Sequence, residues 1–301
     1  MRDRTLTSIR LACRSCSLMT KGMLVAPQAM DLDWPMSDST SAGDEYVKYA
    51  DVYDVLFEDI SDDAEFYLRC ASTLIATGTP ILELGTGTGR VAGHFLRAGY
   101  RVMGVDASAE MLVHAARKLG GFGDQFKWAR EDICSMRLDR RFRVAIAPYG
   151  MMAHVLEDND RLRAFRSVYE HLEPGGVFVF DDMPGWLAGA AEGTALEVRR
   201  KAVDPATGMT VRMMSNCIEV AGQPLSVRYD FIDWLAPNNK VARRLVIRVV
   251  FRDMELADEL RLLKEAGFAE VDLIGDWDGR PFDRQNVGAN RRLILRCRRA
   301  G

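Results

Sequence analysis

The sequence predicts an α/β fold in which a largely parallel sheet is covered by helices on both faces, with a small antiparallel sheet inserted late in the chain. Three observations carry that expectation. Short apolar runs alternate with amphipathic stretches from about residue 80 to residue 182, an order that implies parallel strands joined by crossover helices. The run "ILELGTGTGR" (81–90) passes from apolar residues directly into glycines at every second position, as a strand does where it turns abruptly into a helix. Beyond Pro184 the period shortens to two, the mark of half-buried antiparallel strands.

Residues 1–40 read as a disordered or targeting-like extension. Through Met30 the basic residues are Arg2, Arg4, Arg10, Arg14 and Lys21 against the single acid Asp3, with frequent Ser and Thr. That is the composition of an organellar transit peptide; a disordered tail, or a start at Met19, Met23, Met30 or Met36, explains it equally well. Residues 41–185 form the expected core. Helical stretches "YVKYADVYDVLF" and "AEFYLRCASTLI" lead into a strand at 81–85, a helix at 90–98 closed by Gly99, a strand at 101–106, and a helix capped by Ser108 with Glu110 in its first turn. Strands follow at 126–131 and 142–147. Leu162, Phe165, Tyr169 and Leu172 share a helical face ended by Pro174-Gly175-Gly176, and "VFVFDD" is a buried strand.

In the expected insert, residues 186–253, Leu225, Val227, Tyr229 and Phe231 alternate with polar residues. Leu245, Ile247, Val249 and Phe251 do so after Pro237-Asn238-Asn239, giving a hairpin. Residues 254–301 return to the earlier style with "ELADELRLLKEAGF" and two closing strands.

Composition narrows the partners. With 40 basic and 43 acidic residues the net charge of -3 offers no general attraction to nucleic acid or an anionic membrane. No apolar run approaches the roughly 18 residues of a membrane span. A small-molecule partner is the expectation. Six cysteines in 301 residues do not form a disulfide framework, which fits a reducing, cytoplasmic setting, with organellar targeting by the extension as the alternative. Cys13 and Cys16 lack the companions a zinc or redox site requires, so no metal is expected.

A strand turning through glycines into a helix exposes backbone N–H groups to a ligand. The spacing Gly87, Gly89, Ala92, with Asp106 further on, satisfies the dinucleotide pattern, so an NAD-dependent oxidoreductase stays open at this point. Glu83 beneath the turn opposes a pyrophosphate and suits a cation instead.

"LELGTGTGR", followed by "VMGVDAS", "REDI" and "LEPGGVFVFDD", resembles the ordered motifs of class I S-adenosyl-L-methionine-dependent methyltransferases. The resemblance implies a Rossmann-like seven-stranded mixed sheet and a cofactor site built from Glu83, Gly85, Thr86, Gly87, Gly89, Asp106, Ala107, Met111, Asp132 and Ile133. Gly85, Gly87 and Gly89 would admit the methionine part to the backbone, and Glu83 would hold its amino group. Asp106 would accept both ribose hydroxyls, Asp132 the adenine amino group, with Ile133 and Met111 on the ring faces.

The implied reaction is methyl transfer to an amine or hydroxyl of a small molecule. His154 resembles a histidine of amino-sugar N-methyltransferases and is the candidate base, the alternative being a residue that opens the following helix. Tyr53 resembles a lid tyrosine over the sulfonium, or else anchors its helix to the core. Tyr49 ranks behind it. Asp276 and Asp278 are candidates for a cationic acceptor, or ordinary turn residues. A non-catalytic binding subunit and a homodimer also remain open.

Overall fold

The computed structural model describes residues 44–182 and 196–301. The basic extension, Cys13 with Cys16, and the start of the expected insert lie outside the described residues. Three short helices, α1 (Asp44–Tyr49), α2 (Tyr53–Phe57) and α3 (Asp62–Ser72), precede β1 (Pro80–Leu84). There follow α4 (Arg90–Arg97), β2 (Arg101–Asp106), α5 (Ala109–Leu119), β3 (Phe126–Arg130), β4 (Phe142–Ala147), α6 (Asp158–His171) and β5 (Leu172–Asp182). The antiparallel strands are β6 (Glu197–Val203), β7 (Thr210–Glu219), β8 (Leu225–Leu235) and β9 (Val241–Arg252). The chain closes with α7 (Leu256–Ala266), β10 (Phe268–Ile274) and β11 (Leu293–Arg299).

The large sheet has the order β10-β11-β5-β4-β1-β2-β3, parallel except where β11 runs against β5 and β10. Its strands are apolar on both faces because both faces are covered. Ile81, Val144, Ile146, Val179 and Ile294 pack with Val91, Phe95 and Leu119 of α4 and α5. Leu82, Leu84, Phe178, Phe180 and Leu295 pack on the opposite side with Phe165 of α6 and Leu263 of α7. Successive strand residues therefore serve opposite cores, as a pleated strand requires.

Strand β1 pairs with β2 on one side and β4 on the other. The connections leave the sheet in opposite directions from this point, and the gap they open lies at the carboxyl ends of the strands.

Helix α5 begins where the sequence places it, with the Ser108 hydroxyl accepting from Met111 N–H at 3.2 Å. The stripe on α6 is one residue too long, since Leu172 already belongs to β5. A larger difference concerns the four-stranded sheet β6-β7-β8-β9. Its inner face packs Val211, Met213, Ile232, Trp234, Ile247 and Val249 against Tyr49, Val52, Leu56 and Phe57, with Met111 of α5 joining them. On β9 this is the apolar register that the alternation marks. On β8 the alternating apolar set, Leu225, Val227, Tyr229 and Phe231, is only half-buried, and the inner face carries Ser226, Arg228 and Asp230 instead. The alternation is real, but it does not identify the inward side.

Candidate active site

Gly85 and Gly87, with φ of 62° and 56°, take β1 out of the sheet through a left-handed turn closed to L side chains of ordinary size. A side chain on Gly85 would overlap Met151, whereas Gly87 faces open space with nothing but the turn's own carbonyl at 3.9 Å. Gly89 has a different role from the one expected. It does not line the cavity at the turn, and a Cβ there would lie 2.5 Å from Leu119 Cδ1, so it lets α4 start against α5.

A cavity of about 630 Å³ opens on the turn. It is lined by Glu83, Gly85, Thr86, Gly87, Asp106, Ala107, Met111, Asp132 and Ile133, and also by Tyr53 and His154. Of the residues named from the sequence, Gly89, Tyr49, Asp276 and Asp278 do not reach it.

Asp106 ends β2 and accepts from Gly87 N–H at 2.8 Å and Ser108 N–H at 2.9 Å. Burial pushes its carboxyl up against the opposing pull of these two bonds. Asp132 is exposed and accepts from Cys134 N–H at 2.9 Å, a turn bond that fixes its side chain in the cavity wall.

Glu83 is 2% exposed and accepts from the Thr86 hydroxyl at 2.9 Å. Burial drives its carboxyl up to about 8, because no cation lies within ion-pair distance of it among the described residues. The neighbouring Arg90 is committed elsewhere. It forms a two-pronged pair with Asp63 at 2.6 and 2.8 Å and donates to Ile60 O at 2.8 Å.

Part of the cavity wall is aromatic. Tyr46, Tyr53, Tyr149 and His154 line it, and Tyr149 remains 41% exposed. Tyr53 opens α2, packs against the apolar cluster under the four-stranded sheet and faces the cavity as well. Its hydroxyl is held above the usual phenol range, chiefly by burial.

His154 lies in the short 3-10 turn Met151–His154 rather than at the start of α6, whose N-cap position is Glu157. Its Nε2 shares a 2.7 Å hydrogen bond with the Tyr46 hydroxyl, while Nδ1 is buried without a partner among the described residues. Burial, with Arg228 nearby, lowers it to about 3, so the imidazole is uncharged at neutral pH.

Sequence reasoning passed over Tyr46, Tyr149 and the Arg90–Asp63 pair. The signal for Tyr149 was the non-glycine residue before Gly150 at a strand end. Asp276 and Asp278 do not line the cavity; both pair with Arg280, at 2.6 and 3.1 Å, in a turn. Tyr49 is buried and donates to Asp230.

A family model described as a methyltransferase domain matches residues 81–176. The chain carries a methyltransferase domain. A curated relative of this domain is the dTDP-3-amino-3,4,6-trideoxy-alpha-D-glucopyranose N,N-dimethyltransferase of Streptomyces venezuelae, 28% identical over 47% of this chain and 59% of that protein. The chain spans 54 to 63% of the length of the first curated relatives it matches. Among solved structures, the CcbJ methyltransferase of Streptomyces caelestis superposes with a TM-score of 0.68 at 22% identity, covering 87% of this chain and 100% of that one. The sugar N-methyltransferase KedS8 of Streptoalloteichus sp ATCC 53650 gives 0.62 at 22% identity, covering 81% and 89%. At these identities the solved structures show the shared Rossmann-like fold.

The cofactor that such a domain implies is S-adenosyl-L-methionine. The residues present fit it. A buried acid lacking a cation sits below an open glycine backbone, and two further carboxylates stand along the cavity toward Ile133.

Proposed function

We propose that the protein transfers a methyl group from S-adenosyl-L-methionine to an amine or hydroxyl of a small molecule, an amine being favoured. The observation that supports this most is Glu83, a buried carboxylate under the glycine turn with no cation of its own. A bound ammonium next to the sulfonium would return it to its ionised state. The sulfonium supplies an activated methyl group; the chain's part is to bind, to orient the acceptor and to exclude water.

Asp106 would hold the ribose hydroxyls with the lone pairs left after its two backbone bonds. Asp132 and Ile133 would meet the adenine, and Met111 its other face. Tyr53, Tyr149 and Tyr46 would form the acceptor wall, where aromatic faces tolerate the positive charge of the sulfonium and of a methylated amine. His154, neutral at physiological pH, adds no competing charge and can accept a hydrogen bond from an amine, which orients it. The likeness to relatives named as N-methyltransferases of sugars supports an amine over a hydroxyl.

Calorimetric titration with S-adenosylmethionine, S-adenosylhomocysteine and NAD tests the reading, with Asp106→Ala as control. Binding of the first two, weakened about 100-fold or more in the variant, is the expected result. Binding of NAD alone would overturn it. A screen of amine and alcohol acceptors for methyl incorporation then identifies the substrate.

A further inference from the structure

Tyr149 has a φ of 65°, the left-handed region that a bulky residue avoids, and Gly150 follows it at 68°. Something must hold this conformation against relaxation. The group placed to do so is Asp181, 3% exposed near the end of β5, which adjoins β4 in the sheet. Its Oδ1 accepts from Tyr149 N–H at 2.7 Å, and its Oδ2 accepts from Gly150 N–H at 2.9 Å. The Tyr67 hydroxyl of α3 donates to Oδ1 at 2.6 Å and fixes the carboxylate from behind.

Two successive N–H groups thus converge on one carboxylate, an arrangement that an anion accepts and an amide or a hydrocarbon cannot reproduce. The consequence lies on the other side of the backbone. With both amides tied down, the Tyr149 ring is set 5.0 Å from the Arg90 guanidinium and 5.9 Å from Phe57, and it lines the cavity. Pro148, Met151 and His154 line the cavity from the same segment. Asp181 itself does not line it.

From this geometry we infer that Asp181 is a positioning residue for the acceptor wall: it holds Tyr149 and Gly150 in the left-handed turn that sets the ring of Tyr149 and the segment ending at His154. The inference rests on the methyl-transfer reading and deepens it. It separates two halves of one cavity. Asp181 hydrogen-bonds Tyr149, Gly150 and Tyr67, none of them in the glycine turn or at Asp106, so its direct hold is on the acceptor half, which touches the cofactor half where Met151 meets Gly85.

The test is hydrogen exchange read by mass spectrometry on the full chain, with S-adenosylhomocysteine affinity and thermal midpoint measured on the same samples. Asp181→Asn keeps the size but turns an amide toward an N–H donor. It is expected to speed exchange at residues 148–154 about tenfold or more, with exchange at 85–89, the affinity and the midpoint near wild type. Adding Tyr149→Asn, a residue more tolerant of positive φ, is expected to recover much of the local protection. Unchanged exchange at 148–154 overturns the inference. So does a loss spread over all segments with an equal fall in midpoint and affinity, which marks a structural role only. If Asp181→Asn does not fold, Tyr149→Asn alone decides: slower or unchanged exchange at 148–154 agrees, and faster exchange there overturns. Absence of S-adenosylhomocysteine binding by the wild-type protein would sink the methyl-transfer reading and is seen separately from the exchange result.

Discussion

At Glu83 a single side chain links burial to binding. Its carboxyl, raised to about 8 by burial, is protonated in much of the ligand-free protein at pH 7. Because the folded value lies above the unfolded one, the stability it contributes is complete below about pH 4.5 and is lost as pH rises through about 8. Glu83→Gln is therefore expected to make the ligand-free protein more stable than wild type at pH 8, by on the order of 1–3 kcal/mol in urea denaturation. The same change is expected to weaken S-adenosylmethionine binding about tenfold or more. Wild-type affinity should gain more than that of the variant as pH rises from 6 to 8, since binding a cation at Glu83 releases a proton; equal pH slopes for the two proteins would refute this. Glu83, Asp106 and Asp132 were named from the sequence because each lies in a short local motif that resembles those of methyltransferases. Tyr149 and Asp181 were not legible as a pair, for 32 positions separate them and only the pairing of β4 with β5 brings them together.

Helices and strands are placed by the same local signals, yet which neighbour each one meets is a separate matter. Gly89 shows the difference. Its spacing suggested ligand access, but the close approach is to Leu119 of α5. With φ at 80° and no room for a Cβ, Gly89→Ala is expected to cost about 2–3 kcal/mol of stability in chemical denaturation, with S-adenosylhomocysteine affinity changed only a few-fold. The cap of α5 gives a smaller effect: Ser108→Ala should cost about 1 kcal/mol. Strand β8 makes the point from the other direction. Alternation located the strand, but its polar residues face inward, where Asp230 receives Tyr49, Ser215 and Arg228. A period-two pattern is symmetric between faces, and only the packing partner breaks that symmetry.

The molecule as a whole is held by contacts that no local pattern announces. Arg161 of α6, fully buried, pairs with Asp182 of β5 and with Glu259 of α7 at 2.7 Å, tying one helical layer to the sheet. Glu259→Ala leaves the guanidinium under-compensated and is expected to cost about 3–5 kcal/mol in urea denaturation. Ligand binding acts on the whole fold as well. S-adenosylhomocysteine at a hundred times its Kd should add about 2.7 kcal/mol, visible as a raised thermal midpoint that disappears in Asp106→Ala. The fold class and the order of its elements were determined by the sequence alone, because apolar period and turn glycines act over a few residues; the residues proposed to hold the cofactor were named through the resemblance to methyltransferases. Tyr53 and His154 were named from the sequence, but how they come together with Tyr46 and Tyr149 was decided only by tertiary structure. Tyr46 and Tyr53 come from the first two helices, which pack on the sheet inserted after β5, and Tyr149 and His154 from the segment after β4. Long-range packing sets the distances among them, and nothing in their sequence spacing encodes it.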